Sequence, residues 1–288
     1  MNPFKYATFF SFLLVFLLAV STAAQDAGME ISGFRVPEYD REGAMVSQLF
    51  GEHAEIKPGG DVKITGLRIE FYKDDAVFME VKSPYCFYNQ KSREAHSDAP
   101  VTADMEQVHV SGRGFLVKPD EDIVQVLNES RVVIEDIMQQ AGEDLPPGGG
   151  SRGSNDVTVI TSKELFLAYK SKTVRFSENV HIEDPQLTID CGTLEVRIGE
   201  SSEIDWIEAL TDVRISHEGR EARAGKAMYD IRTDEFLLED DPKLISGRSM
   251  LAGEQIRFWR ASGRMVCEPS ARLVIYPDDE LKLNLFEN

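Results

Sequence analysis

The sequence predicts an all-β protein built from stacked repeats of short strands. Three observations support this: apolar and polar residues alternate with a period of two, turn residues recur every 8–12 positions, and the second half repeats one strand pattern every 28–33 residues. Such alternation is typical of half-buried strands. Helical periodicity is nowhere sustained over three turns, so no helical domain is expected.

The alternation is clearest in the second half of the chain. Val174–Phe176, Leu194–Ile198 and Val213–Ile215 alternate apolar with charged residues. Turn residues such as Asp184-Pro185 and Asp241-Pro242 separate the predicted strands. Each strand should therefore present one face to a core and the other to solvent.

The repeat is built from pairs of strands. Its units open on a small residue at Ser162, Gly192, Gly225 and Gly253, and each continues with a strand, a turn and a second strand. A unit of this size cannot bury its apolar face alone, so the units must stack on one another. The first half contains a looser related unit that begins at Ser111.

The first 24 residues predict a secretory signal peptide. Lys5 supplies the positive charge, residues 7–20 are apolar, and Ser21–Ala24 form a small-residue cleavage site. The apolar stretch is shorter than the roughly 20 residues that span a membrane. We therefore expect a periplasmic protein; the alternative is an uncleaved anchor.

Residues 141–156, AGEDLPPGGGSRGSND, predict a flexible linker because no packed element tolerates this density of proline and glycine. The expected organisation is a signal peptide at 1–24, a β domain at 25–136, a linker at 137–156, a β-repeat domain at 157–277 and an acidic tail at 278–288.

Net charge and motifs exclude several functions. The chain has 50 acidic and 31 basic residues, and a surface of this charge repels nucleic acid, so we expect no nucleic-acid partner. The sequence has no G-x-S-x-G, P-loop, H-E-x-x-H or dinucleotide-binding motif. The carboxylate pairs Asp74-Asp75, Asp240-Asp241 and Asp278-Asp279 lie at turn signals. We therefore predict no enzyme activity, catalytic residue, metal site or cofactor.

The three cysteines, Cys86, Cys191 and Cys267, have no metal-binding spacing. Cys191 and Cys267 lie in the same half of the chain and could form a disulfide in an oxidising compartment. The alternative is that all three are small buried apolar residues.

Residues 160–182 resemble the opening of the organic-solvent-tolerance-like domain of periplasmic lipopolysaccharide-transport proteins. The Asn179-Val180 step, the restart at Cys191-Gly192 and the segment 209–215 are similar to the family pattern. The resemblance covers roughly residues 157–276 and is closest to the periplasmic bridge protein. Segments 34–72, 99–104 and 111–115 are similar, less closely, to the membrane-proximal periplasmic component.

This resemblance implies a folded-over β-sheet, or β-jellyroll ("β-taco"), with an apolar groove. It implies that the chain carries lipopolysaccharide, or another acyl lipid, between the inner and outer membranes. It also implies stacking on other envelope transport components, or on its own copies, through edge strands. The alternatives are a structural or adhesive β-repeat protein with a closed core, and a carbohydrate-processing enzyme on a β-sandwich.

The candidate groove residues share the alternating apolar face of the predicted strands. The same residues could instead pack against one another as an ordinary sandwich core. They are Leu165, Leu167, Phe176, Val180, Ile182, Val213, Ile215, Tyr229, Phe236, Leu238, Ile256 and Phe258.

Overall fold

The computed structural model describes residues 29–276 without 41, 58–59, 90, 106, 119–120, 122, 136–156, 169–170, 186, 200–203, 218, 260–261 and 263. The predicted signal peptide, linker and acidic tail lie outside the described residues. Within the described part the chain forms strands and no α-helix. No helix there is long and apolar enough to cross a membrane.

The chain divides into two compact units. Unit 1 comprises Met1–Val132 and Glu164–Ser171, and unit 2 comprises Val133–Lys163 and Lys172–Asn288. The strand at Glu164–Ala168, which we expected in the second domain, thus belongs to unit 1.

Unit 1 is a meander of long antiparallel strands. Each of its first five strands pairs with the next one along the chain, and β7 pairs with β9. The strands are β1 (Met29–Tyr39), β2 (Met45–Ile56), β3 (Asp61–Lys73), β4 (Ala76–Asn89), β5 (Glu94–Met105), β6 (Val108–Lys118), β7 (Ile123–Glu135) and β9 (Glu164–Ala168).

Unit 2 begins with β8, which pairs with β10, and continues as an antiparallel meander through β13. Its strands are β8 (Val157–Ser162), β10 (Thr173–Glu183), β11 (Thr188–Ile198), β12 (Ile204–His217), β13 (Arg220–Asp230), β14 (Glu235–Glu239), β15 (Lys243–Ser246), β16 (Ser249–Ala252), β17 (Gln255–Trp259), β18 (Arg264–Glu268) and β19 (Arg272–Val274).

Beyond β13 each long strand of unit 2 is split into two short ones. The two halves of β13 pair with β14 and β15, respectively. From there β14 pairs with β17 and then β18, while β15 pairs with β16 and then β19. The unit therefore keeps one strand order but is interrupted along a line that crosses every strand.

That line is a bend, and pairs of residues with left-handed backbone form it. Glu178 and Asn179 have φ of 63° and 55°, and Thr211 and Asp212 have φ of 68° and 52°. The pairing register shifts at both places. Asp240-Asp241 repeats this backbone between β14 and β15, as the turn signal predicted. Such residues bend a strand and redirect its side chains.

The neighbouring strands place glycine at the same line. A Cβ on Gly225 would lie 2.5 Å from Cβ of Asp240, and one on Gly192 would lie 2.9 Å from Cβ of Thr211. The Gly225 amide donates a 2.8 Å hydrogen bond to the Asp240 carbonyl. The sequence repeat therefore arises from the alternation of glycine and left-handed residue pairs along the bend.

One face of the sheet, here called the inner face, is buried in both units. Its side chains include Ile64 in unit 1 and Leu194 and Ile256 in unit 2, which are at most 2% exposed. No helix covers this face in the described part of the chain, so the folded sheet must cover itself. The predicted all-β, folded-over sheet of the β-jellyroll class is confirmed.

Candidate functional site

The inner face of unit 2 is organised in rows of directly paired side chains. The rim row, at the end of the strands away from the bend, is aromatic in its centre. The core row lies beside the bend. The rim row is Val174, Val196, Ile207, Tyr229, Phe236, Phe258 and Met265. The core row is Phe176, Leu194, Ala209, Ala227, Leu238, Ile256 and Cys267.

A third row lies across the bend from the core row. It begins with Ile182 and Ile189 and ends at Leu251 and Leu273 on the short strands. Leu273 is 49% exposed, whereas Ile182 is 7% exposed. The apolar face therefore continues to the C-terminal edge of unit 2, where solvent reaches it.

The predicted groove residues separate into a buried and a half-buried group. The half-buried ones are Leu167, Tyr229 and Phe236. The buried ones, at most 8% exposed, are Leu165, Phe176, Val180, Ile182, Val213, Ile215, Leu238, Ile256 and Phe258. Ten of the twelve lie on the inner face of unit 2. Leu165 and Leu167 lie on β9 in unit 1, where they pair with Val126 and Val124.

The aromatic centre of the rim row is a stack. The rings of Tyr229 and Phe236 have centroids 4.1 Å apart and are inclined by 17°. Phe236 and Phe258 follow with centroids 6.0 Å apart. The Tyr229 hydroxyl donates a 2.8 Å hydrogen bond to Asp234 Oδ1, so the ring keeps a polar end beside the turn. Tyr229 and Phe236 are the least buried of the predicted groove residues in unit 2, whereas Phe258 is 7% exposed.

The most buried members of the core row include residues that sequence reasoning missed. Leu194 is 1% exposed, and Ala209 and Ala227 are 5% and 6% exposed. The signal for Leu194 was its place in an alternating strand. The alanines carry little periodicity signal, because their side chains are small and occur on either face.

The outer face of unit 2 is polar and carries cross-strand ion pairs. Lys226 Nζ lies 2.7 Å from Glu208 Oε1, and Arg175 Nη2 lies 2.9 Å from Glu195 Oε2. The hydrogen bond to Glu208 raises the pKa of Lys226. The outer face is therefore the solvated face of unit 2.

The three cysteines are free thiols, and the disulfide between Cys191 and Cys267 that the sequence left open is not formed. Cys191 lies on β11 and Cys267 on β18, with four strands paired in series between them. Burial raises the pKa of Cys86 to about 12 and that of Cys191 to about 11. Both behave as buried apolar residues, which was the alternative considered from the sequence.

No group of three His, Cys, Asp or Glu side chains is arranged to hold a metal ion in the described parts of the two units. Asp74 and Asp75 have positive φ in the turn between β3 and β4, as their turn signal predicted. Asp278-Asp279 lies outside the described residues.

No curated protein matches the chain. A similar solved structure is the crystal structure of LptH, the LptA homologous periplasmic component of the conserved lipopolysaccharide transport device from Pseudomonas aeruginosa. It is 12% identical, with a TM-score of 0.38, and the similarity covers 42% of this chain and 95% of that one. Residues 159–264 match the family described as LptA/(LptD N-terminal domain) LPS transport protein.

Proposed function

We propose that the chain is a periplasmic carrier that binds lipopolysaccharide by its acyl chains and passes it from the inner to the outer membrane without a chemical step. The observation that supports this most is that the segment matching the transport family, residues 159–264, supplies most of a continuous apolar inner face. On this proposal, unit 2 holds the acyl chains and the predicted signal peptide directs export.

A carrier must shield acyl chains from water, because each exposed CH₂ costs about 0.8 kcal/mol. The inner face is apolar from the rim row across the core row and beyond the bend. The rim row is the entry point, because Tyr229 and Phe236 are half-buried there while Ile256 in the core row is 0% exposed. Acyl chains then replace contacts that the two layers of the sheet make with each other.

Transfer between membranes also requires contact with partners or further copies. In unit 2, the terminal strands β18 and β19 each pair on one side only among the described strands. Exposed strand edges pair readily with added strands. We propose that this edge, beside the exposed Leu273 and Ile275, receives the next transport component or a second copy.

A non-catalytic structural β-repeat protein is the second candidate. The observation that favours it is the burial of nine predicted groove residues, each at most 8% exposed. In that case the inner face is a permanent core, and lipid cannot compete for it.

Binding of lipopolysaccharide to the purified full-length chain tests the proposal. Phe236→Ser removes a half-buried aromatic ring from the rim row. Leu237→Ser is the matched control on the opposite face of the same strand. We expect at least a tenfold loss of affinity for Phe236→Ser and little change for Leu237→Ser, with thermal unfolding confirming that both variants fold. No binding by the unaltered protein, or equal binding by both variants, would favour the structural candidate.

A further inference from the structure

Unit 1 contains an open cavity of about 820 Å³ beside Gly33 and Gly66, whose left-handed backbone bends the sheet there. The cavity is far along the chain from the family-matched segment. Small-molecule sites commonly enclose about 300–1,000 Å³. The cavity therefore suits a compact ligand or headgroup. Five consecutive strands line it, through Gly33, Phe34, Arg35, Phe50, Gly51, Glu52, Gly66, Leu67, Arg68, Lys82, Ser83, Pro84, Pro100 and Thr102.

Five of the lining side chains form one row across these strands, here called the cationic row. It runs Arg35, Phe50, Arg68, Lys82, Thr102, and each member is the direct partner of the next. Neighbouring strands are about 4.8 Å apart, so the row presents three cations, one aromatic ring and one hydroxyl over about 19 Å. In a chain of net charge −19, these three cations share one row, with the carboxylates of Glu52, Glu70 and Glu80 nearby.

Two of the three cations are held in place from the side away from the bend. The Arg68 guanidinium lies 3.9 Å from the centroid of the Phe50 ring and forms ion pairs with Glu70 and Glu80. Lys82 pairs with Glu80. The hydrogen bond from Lys82 lowers the pKa of Glu80. Arg68 and Lys82 are thus positioned but are 37% and 51% exposed.

Among the three cations of the row, Arg35 is the one that has no ion pair with a described residue. It is exposed, and it makes no hydrogen bond or ion pair with any residue in the described part of the chain. Glu52 is the only carboxylate among the lining residues. An added anion could therefore bind Arg35 without first displacing a protein carboxylate.

The floor of the cavity is backbone. Gly33 and Gly66 have φ of 58° and 60°, a conformation that glycine adopts without strain. A Cβ on Gly51 would lie 2.4 Å from the ring of Phe34, so that ring covers Gly51 from the inner face, opposite the cationic row. A ligand lying here meets peptide groups and the Phe50 ring beside the cationic row.

We propose that this cavity binds a phosphorylated sugar, with the phosphate on the cationic row and the sugar on the glycine floor beside Phe50. Guanidinium groups bind phosphate through paired hydrogen bonds, and lysine binds it as a point charge. The same phosphosugar chemistry occurs in the headgroup of a phosphoglycolipid and in a free sugar phosphate. The site stands on unit 1 alone and does not depend on acyl-chain binding in unit 2.

Calorimetry on the full-length chain at low ionic strength tests the site, with glucose 1-phosphate, glucose and inorganic phosphate as probes. Arg35→Gln removes an exposed, unpaired cation and should not affect folding. Lys73→Gln, at the end of β3 and outside the cavity, makes the same charge change as its control. We expect glucose 1-phosphate to bind more tightly than either other probe. Arg35→Gln should weaken it about tenfold and Lys73→Gln should not.

Vesicles that carry a phosphorylated glycolipid distinguish the two sources of the ligand. Flotation with these vesicles, abolished by Arg35→Gln, would support the site and identify a lipid headgroup. Binding of glucose 1-phosphate without flotation would support it and identify a soluble ligand. The proposal is overturned if neither probe binds, if glucose binds equally well, or if Lys73→Gln weakens binding as much as Arg35→Gln.

Discussion

Units 1 and 2 bend the same kind of antiparallel sheet in two different ways. In unit 2, left-handed pairs such as Glu178-Asn179 face glycines such as Gly192 on the neighbouring strands in a regular alternation. In unit 1, left-handed glycines such as Gly33 and Gly66 make the bend, and a cavity of about 820 Å³ lies along it. The regular bend of unit 2 lies beside the buried core row, whereas the glycine bend of unit 1 lies beside the cavity.

This difference explains why the sequence repeat is clear in the second half of the chain and looser in the first half. In unit 2 the bend alternates glycine on one strand with a left-handed pair on the next, and this alternation produces a detectable sequence repeat. The family match at 159–264 falls on that region. A bend made by glycines at less regular spacing leaves the alternation of strands intact but hides the repeat. Regular packing and a detectable motif therefore have one physical cause.

The largest expected effect on stability is in the core row of unit 2. Ile256 is 0% exposed, so Ile256→Ala should lower the free energy of unfolding by about 4 kcal/mol. Leu67 is 5% exposed on the inner face of unit 1 and should lose only about 2 kcal/mol on Leu67→Ala, because its direct partner there is the small, polar Ser83.

Two probes separate these effects. Both tryptophans, Trp206 and Trp259, lie in unit 2, so their fluorescence in guanidinium reports on Ile256→Ala. Hydrogen exchange in β3 reports on Leu67→Ala. A loss below about 1 kcal/mol at Ile256 would contradict the closed packing of unit 2.

The second expected effect is at the bend of unit 2. Gly225→Ala should cost about 2 kcal/mol, because the new Cβ would lie 2.5 Å from Cβ of Asp240 and the strands must separate. Guanidinium denaturation followed by tryptophan fluorescence measures this loss.

The matched partner substitution removes the collision. Asp240 has φ of 60°, so Asp240→Gly should be tolerated, and the double variant should recover most of the loss caused by Gly225→Ala. Additive losses in the double variant would show that the close approach of the two strands does not require glycine there.

The smallest expected effect is a pH dependence in unit 1. Glu38 points to the inner face of the edge strand β1 and accepts a 3.1 Å hydrogen bond from the Ser47 hydroxyl. Burial raises its pKa from 4.5 to about 7, and the bond from Ser47 opposes the rise. The folded state therefore binds the proton more tightly than the unfolded state, and stability should fall as the pH rises from about 5 through 7.

We expect a loss of about 1 kcal/mol over this range, which is smaller than the full pKa shift implies because Glu38 keeps part of its solvent contact. Hydrogen exchange in β1 and β2 at a series of pH values measures it. Glu38→Gln should abolish the dependence. If the variant keeps the same pH profile, another group causes it.

Much of the fold follows from local patterns, and the details of the site do not. Alternation in segments such as Leu194–Ile198 predicts strands and their inner faces, and the spacing of Gly192, Gly225 and Gly253 predicts the repeat. Alternation cannot show which inner residues stay half-buried, because the exposure of Tyr229 and Phe236 depends on how far the rim lies from the bend.

The same limit applies to interactions between distant strands. The pairing of β9 with β7 joins residues about 40 positions apart across a segment read as a linker, and no local pattern encodes that register. The cationic row is spread over five strands, one residue on each, so it exists only once the register is set.

The most direct test of the central claim, that acyl lipid occupies the inner face of unit 2, is photocrosslinking in a Gram-negative envelope. A photoreactive phenylalanine analogue replaces Phe258 on the inner face, and in the control it replaces Arg257, which points to the outer face of the same strand. The carrier account predicts lipopolysaccharide adducts at position 258 and none at 257. Adducts at neither position in folded, exported protein would contradict it and favour a closed structural core.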